Sequence, residues 1–443
     1  MGMLRFALPL LISVMLSALA ACTGASSDAP ADADIDVVVD VSADLPADAS
    51  ADLPADVPAD VPADVPADAD LGGVADVPDH LPTDVPVDTG RDLPELPPFL
   101  ETGLVAPLDA IPCTTADGAP TNACNHHGSS VAVMADGTVL AVWYTGLGEY
   151  SPDSRIVWSR KAPGQEWTPW AVLVDELTVP EGNPVIWVDD LTGELWLFYI
   201  RVVGTSWNDG QVMMRRSTDG GQTWSSPTTL RQDLQWMTRN HPLRLSDGEV
   251  LLPCYNETFF VPSWLASRDG FTSTWEEITP PDETFPYYLG QIQPSIIQRP
   301  DDSLFATMRN GNVLFEGHAI EVTSTDNGRT WSEAVASPIP NPGAAMDMTR
   351  LASGAVMAVF DNSPNSRVPL AVALSDDDGR TWSAVANVVT VCGDGECSYP
   401  SLAADPTDGS AWITYTHARQ TIGWVHVSEA WVRQKGDVFA PIP

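Results

Sequence analysis

The chain has 443 residues and a formal charge of −39, from 60 acidic and 21 basic residues. That balance excludes general nucleic-acid binding, which needs a basic face to neutralise phosphates. It also disfavours adsorption to anionic lipid through a polybasic patch. Both charge and aromatic residues are unevenly placed. All 16 Trp lie between Trp143 and Trp431, and residues 23–100 hold 18 Asp and one Glu against a single Arg, Arg91. The first 100 residues therefore cannot supply a packed core.

Met1 to Arg5 is a short, positively charged start, and Phe6 to Ala21 is apolar and ends in small residues. This is the pattern of a secretory signal peptide, too short for a membrane span. Leu19-Ala20-Ala21-Cys22 resembles the bacterial lipoprotein cleavage box. The resemblance implies a signal peptide over residues 1–21 and lipidation of Cys22. The protein would then be held on the bacterial cell envelope, facing the surface or the periplasm, and touch the membrane through the lipid alone. An ordinary signal peptide with an incidental Cys22 is the alternative.

Residues 22–100 then run as Asp-Val-Pro-Ala and Asp-Leu-Pro-Ala units, clearest from Asp44 to Asp68. Pro at every fourth position forbids a helix interior and removes strand donors, and Asp at the same period repels itself. The segment reads as a disordered, extended linker that holds the rest away from the membrane. Evenly spaced single carboxylates on such a chain make no calcium cage. Five further cysteines follow. Cys113 with Cys124, and Cys392 with Cys397, bracket loops and are candidate disulfides. Cys254 lies in an apolar strand and reads as an inert core thiol.

From residue 101 to 443 the chain repeats. Each unit has a short apolar strand, a turn, a second apolar strand ending in an aromatic, a loop, a third strand, and a tight turn ending in Trp. First strands begin near Gly128, Asn183, Asn240, Gln293, Asp347 and Tyr399, at spacings of 55, 57, 53, 54 and 52 residues. The intervening turns include Asp136-Gly137, Thr192-Gly193, Asp247-Gly248, Asp301-Asp302, Ser353-Gly354 and Asp408-Gly409. No convincing helical period occurs. Six such units predict an all-β, six-bladed β-propeller behind a disordered acidic Pro-rich linker.

Three third-strand turns share the form Ser-x-Asp-x-Gly-x-Thr-Trp: Ser217 to Trp224, Ser324 to Trp331 and Ser375 to Trp382. Degenerate copies end at Trp167 and Trp275. The Asp carboxylate can accept N–H bonds across the turn, Gly supplies positive φ, and Trp covers the blade. The twelfth position after Asp376 is Asn387 rather than Glu, which argues against a calcium loop. These turns are Asp-boxes. The segment from about residue 125 to 430 resembles the sialidase (neuraminidase) superfamily, in particular bacterial sialidase-like proteins with Asp-box repeats.

In a propeller the innermost strands line the axis, so the starts of the first strands should converge at one mouth. In phase these are His126-His127, Asn183, Arg239-Asn240-His241, Gln293, Asp347 and Tyr399. Ends of the second strands join them, among them Tyr144, Arg201, Tyr255 to Glu257, Arg309, Asp361 and His417 to Arg419. Arginines gathered in an acidic protein point to an anionic ligand.

Sialidases hold the sugar carboxylate with three arginines, attack with a Tyr assisted by a Glu, and use an Asp as acid/base. The resemblance places Arg309 and Arg367 at two of the arginines, Tyr399 at the nucleophile and Asp153 at the acid/base. It places His127 where the first arginine should stand, and Gln293 where the Glu should stand. A Gln cannot take the tyrosine's proton. Either Glu257 or Asp347 serves instead, or the chemistry is not that of a standard sialidase.

Three functions remain open. One is a sialidase-like hydrolase of terminal acidic sugars, using Tyr399 and Asp153, with Arg309, Arg367, Arg239, Gln293 and Asn240 around the substrate. The second is a lyase on a uronate glycan, with His127 or His241 and Tyr399 as base and acid. The third is a non-catalytic glycan-binding propeller, with Trp207, Trp236 and Trp264 as stacking candidates. Each takes an acidic glycan as partner, needs no cofactor or metal, and suits a monomer.

Overall fold

The computed structural model describes residues 93, 96–107, 113–114, 119–121, 124–279, 285, 290–311, 314–393 and 395–437. The expected signal peptide, Cys22 and nearly all of the acidic linker lie outside them.

Six antiparallel sheets form the blades of a propeller. Blade one comprises Asn125–Val133, Val139–Gly146, Arg155–Lys161 and Ala171–Val174. Blade two comprises Glu181–Val188, Leu195–Val202, Gly210–Ser217 and Thr228–Thr229. In blade three the inner strand is broken into Trp236–Thr238 and Leu243–Arg244, followed by Val250–Asn256, Val261–Ser267 and Glu276–Ile278. Blade four is Gln291–Gln298, Leu304–Asn310, His318–Ser324 and Val335–Pro340. Blade five is Asp347–Arg350, Val356–Asp361, Leu370–Ser375 and Ser383–Val389.

Blade six holds Cys397–Ala404, Ala411–His417 and Thr421–Val427, and its outermost strand is Leu100–Leu104 from the other end of the repeat region. This closure was not legible in the repeat pattern, because Leu100–Leu104 carries none of the unit's signals. A seven-residue helix, Glu429–Lys435, departs from the reading that no helix follows. The Ser428 hydroxyl caps it, accepting from Trp431 N at 3.2 Å, and also accepts from Phe99 N at 2.9 Å. One side chain thus ties both ends of the ring.

The predicted turns between first and second strands are present in every blade. The turn residues Gly137, Gly193, Gly248, Asp302, Gly354 and Gly409 all have positive φ, from 63° to 91°. The second strands are almost wholly buried, and apolar side chains pack between neighbouring sheets, as Phe198, Leu252 and Phe271 do between blades two and three. The Asp-boxes bond as their residue types require. Asp219 accepts from the Ser217 hydroxyl (2.8 Å), Thr223 N (2.9 Å) and the Thr223 hydroxyl (2.6 Å). Those bonds hold its carboxyl at about 2. The same pattern recurs at Asp326, Asp377 and, in the degenerate blade-three copy, Asp269. Disulfides join Cys113 to Cys124 and Cys392 to Cys397. Cys254 is free and buried, and burial pushes its thiol up to about 12.

Two carboxyls inside the blades work against stability at neutral pH. Burial raises Glu181 to about 8 and Glu321 to about 7, from an ordinary 4.5. The folded protein therefore keeps these protons where the unfolded chain has lost them. Their contribution is most favourable below pH 4.5 and declines as pH rises through 7 to 8. Urea unfolding should show stability falling across this range, by up to about 1.4 kcal/mol per pH unit for each group. Glu321→Gln should flatten the slope; an unchanged slope would remove Glu321 as a cause.

Candidate functional site

The mouth is built by a repeated irregularity. In blades one, two, four and six the inner strand carries a bulge in which two residues oppose one on the second strand. The first residue of each pair is left-handed: Gly128 (φ 60°), Asn183 (43°), Gln293 (57°) and Tyr399 (53°). Three of the four are not glycine, at a cost of about 1–3 kcal/mol each. Bulges re-aim side chains, and these sit where the sequence phase expected convergence.

Tyr399 stands at the centre. Arg309 Nη1 donates to its hydroxyl at 2.7 Å. The guanidiniums of Arg367, Arg239 and Arg309 lie 5.3, 5.5 and 5.9 Å from its ring centroid, and the His127 ring lies at 4.2 Å. Arg309, Arg367, His127 and Tyr399, predicted from four different blades, are thus brought together. Among the described residues, buried Arg309 Nε has no hydrogen-bond partner. Arg367 is bonded to Glu396 (2.8 Å) and to the Gly343 carbonyl (3.0 Å).

Glu396 also binds Arg419 Nε at 2.6 Å, and Arg419 Nη1 binds Glu149. Glu149 accepts from Trp207 Nε1 at 3.0 Å. The two carboxylates flank His127 at 3.9 and 4.0 Å. Burial, reinforced by Arg419, Arg367, Arg239 and Arg309, nevertheless holds His127 well below its ordinary value. It is a neutral imidazole whose Nδ1 meets the Thr416 hydroxyl at 2.8 Å and whose Nε2 is buried with no hydrogen bond among the described residues.

Gln293 does not bond Tyr399. Its Nε2 donates to the Tyr255 hydroxyl at 3.3 Å, as Asn183 Nδ2 does at 3.4 Å, while its Oε1 is buried with no partner among the described residues. Glu257 lies near enough to Arg309 and Glu149 to feel both charges, and burial lifts it to about 7. Asp153 Oδ1 accepts from Leu147 N (3.1 Å) and the Ser151 hydroxyl (2.6 Å), and its Oδ2 is buried with no partner among the described residues.

The remaining predicted site residues bind protein instead. Arg239, 1% exposed, donates to the carbonyls of Ser129 (3.0 Å), Tyr399 and Pro400 (3.1 Å). Asn240 Nδ2 donates to the carbonyls of Gln293 (3.1 Å) and Pro294 (3.0 Å). His241 Nε2 meets the Val131 carbonyl (2.8 Å) and the Ser130 hydroxyl (3.2 Å), and its Nδ1 lies 3.3 Å from Asp347. The Ser130–His241–Asp347 series resembles a hydrolase triad only in composition. The closer Val131 carbonyl claims the Nε2 proton, so Nε2 cannot accept from Ser130. Asp347 also accepts from Ser295 and Leu402 N, both at 2.9 Å, which removes it as a partner for Tyr399.

Sequence reasoning missed Glu149, Glu396 and the bonding of Arg419. Their only signal was position, in the loops beside strand ends. Among the described residues, Asp405, Asp408 and His426 are close enough to hold a metal, but Asp405 and Asp408 already accept turn and Trp412 bonds.

If Arg239 is a stitch, Arg239→Ala should cost at least about 3 kcal/mol by chemical denaturation, because it strands three buried carbonyls. The exposed Arg268→Ala should change stability by no more than about 0.5 kcal/mol. A mild Arg239→Ala would return that side chain to the candidate ligand contacts.

A family profile described as "BNR repeat-like domain" matches residues 137–413. Among solved structures, a Hadza microbial sialidase is similar at TM-score 0.57 and 18% identity, over 69% of this chain and 66% of that one. The intramolecular trans-sialidase of Ruminococcus gnavus follows at 0.57 and 15%, over 70% and 95%. A Trypanosoma rangeli sialidase matches at 0.58 and 13%, over 77% and 60%. The chain thus spans just under two thirds of the first of these and less of the third. No curated protein matches it. The chain belongs to the BNR repeat-like domain family, on a sialidase-like six-bladed propeller.

Proposed function

We propose that the protein is a glycan-active enzyme of the cell envelope that removes terminal acidic sugars. The observation that carries this reading is the convergence of Arg309 and Arg367 on Tyr399, with Arg309 Nη1 2.7 Å from its hydroxyl. Guanidiniums in a partly desolvated mouth favour a sugar carboxylate, and the same contact stabilises developing phenolate charge on Tyr399. Tyr399 attacks the anomeric carbon, a known exception to the two-carboxylate scheme. Asp153, with one unpartnered oxygen, protonates the leaving oxygen. Glu257, poised near neutrality by burial, takes the tyrosine's proton in place of Gln293.

One observation favours a second reading. Neutral His127, with a buried unpartnered Nε2 beside Tyr399, is a base suited to abstract the α-proton of a uronate, the first step of β-elimination. Incubation of the full chain with sialosides and with uronate polymers separates the two. Free sialic acid supports hydrolysis, and ultraviolet absorbance from an unsaturated uronate supports elimination. Binding without product leaves a lectin-like propeller. In either enzyme Tyr399→Phe should reduce turnover by at least ~10³-fold; undiminished turnover would remove Tyr399 from the chemistry.

The envelope location rests on the lipoprotein-like Leu19 to Cys22 segment and the acidic linker after it. Cys22→Ser should shift the protein from the membrane to the soluble fraction on cell fractionation. Retention in the membrane would count against a lipid anchor.

A further inference from the structure

We propose that the short disulfide-closed loop from Cys392 to Cys397 is a positioning element of the mouth: it fixes Glu396, and through Glu396 the spacing between Arg367 on blade five and Arg419 on blade six. Its effect on ligand binding rests on the acid-sugar reading; its effect on the two side chains does not. Glu396 Oε2 accepts from Arg367 Nη1 at 2.8 Å, and Oε1 from Arg419 Nε at 2.6 Å. The same loop grips both arginine segments through the main chain. Cys397 N donates to the Arg367 carbonyl at 2.9 Å, and the Glu396 carbonyl accepts from Ala418 N at 2.8 Å. Each arginine is thus held twice, by its guanidinium and by backbone at or beside it.

Gly395 lets the loop come this close. A Cβ there would stand 2.8 Å from Ala418 Cα, too near for any side chain unless the backbone moves. Ala418 and Arg419 form the centre of a tight turn, closed by Gln420 N on the His417 carbonyl at 3.0 Å. Both have positive φ, 51° and 56°. L side chains are strained at such positions, and the strain persists only where the surroundings over-determine the backbone. Glu396 supplies two of those restraints. Glu149 binds Arg419 alone of the two arginines, so it cannot set their spacing. Asp361 is the other carboxyl whose charge reaches Arg367. It does not take the place of Glu396. Its oxygens have no hydrogen-bond partner among the described residues, and burial raises it well above its ordinary value, which favours the uncharged form.

The disulfide suits this task more than it suits global stability. Blades five and six are separate sheets. Cys392 follows the outer strand of blade five, Cys397 opens the inner strand of blade six, and both are buried in the apolar cluster between them. The bond therefore pins the crossing between the blades right beside Glu396. The entropic gain from a cross-link grows with the loop it closes. This one spans 5 residues of sequence, against 11 for Cys113 and Cys124. What so short a closure supplies is geometry, and a carboxylate shared by two guanidiniums needs both contacts short at once.

The test compares the full wild-type chain with Cys392→Ala/Cys397→Ala, with Gly395→Ala and, as a control, with Cys113→Ala/Cys124→Ala. Without ligand, modification by butanedione, which attacks free guanidiniums, is followed residue by residue by mass spectrometry. Arg367 and Arg419 should react at least threefold faster in the first two variants and at the wild-type rate in the control, with the exposed Arg268 unchanged throughout. Calorimetric titration with N-acetylneuraminic acid and with D-galacturonic acid should show binding weakened about tenfold or more in the first two variants, the scale of one charge-assisted hydrogen bond. Opening the disulfide in a Glu396→Gln background should cost no further affinity, because the loop acts through that carboxylate. A merely structural disulfide would add its loss in full. Unchanged arginine reactivity, or an additive loss in the Glu396→Gln background, would overturn the proposal. Faster arginine reaction together with a wild type that binds neither acid upholds the positioning role and overturns the acid-sugar reading. Should the cysteine-pair variant not fold, Gly395→Ala, which keeps the disulfide, decides by the same readouts.

Discussion

The buried guanidinium of Arg239 is the interaction on which the site depends. Four inner strands carry bulges, and a bulge takes backbone groups out of the ladder. The carbonyls of Ser129, Tyr399, Pro400, Gln293 and Pro294 lie at those breaks and face the axis. Left without donors they would make the centre of the ring costly. Blade three supplies the donors because its own inner strand is interrupted between Thr238 and Leu243. Arg239 satisfies carbonyls of blades one and six, Asn240 those of blade four, and the Thr238 hydroxyl lies 3.4 Å from the Asn183 carbonyl of blade two. A second belt runs below, through Ser130, His241, Asp347, Ser295 and Leu402 N, with Ile186 N on the Ser130 hydroxyl. It joins all six blades by side-chain bonds.

This arrangement links fold to chemistry. The left-handed residue that points Tyr399 into the mouth is the residue whose carbonyl Arg239 holds. Backbone strain of this kind persists only where the surroundings over-determine it. A single buried cation therefore does two things: it closes the ring and keeps Tyr399 in place. Placing it among carbonyls also keeps its charge close to Tyr399, 5.5 Å from the ring, without exposing it to a ligand.

The fold was legible in the sequence because its signals are local. A turn needs positive φ, so Gly137, Gly193, Gly248, Gly354 and Gly409 mark the hairpins, and Asp302 does the same work in blade four. An Asp-box satisfies its own turn within eight residues, so Asp219, Asp326 and Asp377 announce themselves. The mouth was legible only in part. Phase along the repeat placed Tyr399, Arg309 and His127 together, since each lies on a strand near its end, whereas Arg367, in the loop between Val356–Asp361 and Leu370–Ser375, came only from the resemblance to sialidases. It could not separate side chains that face a ligand from those that face a carbonyl. Arg239, Asn240 and His241 share the polarity of a binding site and bind the backbone instead. Nor could phase find Glu149 and Glu396, which reach His127 from loops beside blades one and six. The closing strand Leu100–Leu104 was hidden for the same reason: its partner, Thr421–Val427, lies more than three hundred residues away.

Two of the departures from the sialidase pattern compensate each other electrostatically. His127 stands where the resemblance places an arginine, and burial keeps it uncharged. Gln293 stands where it places a glutamate and is uncharged by nature. One positive and one negative charge are removed together, so the net charge stays that of the sialidase pattern, while the carboxylate that would deprotonate Tyr399 is absent from that position. Binding depends on net charge and reach, whereas proton transfer depends on one group at one distance. On the proposed reading, the pair of changes leaves the charge available to an acidic sugar as it was and moves proton transfer to a different base. Glu257 and His127 are the groups with the right character: one is a carboxyl lifted to about 7, the other a neutral imidazole with a buried open nitrogen. They lie on blades three and one and would call for different reactions, so on the proposed reading the product, rather than the affinity, distinguishes hydrolysis from elimination.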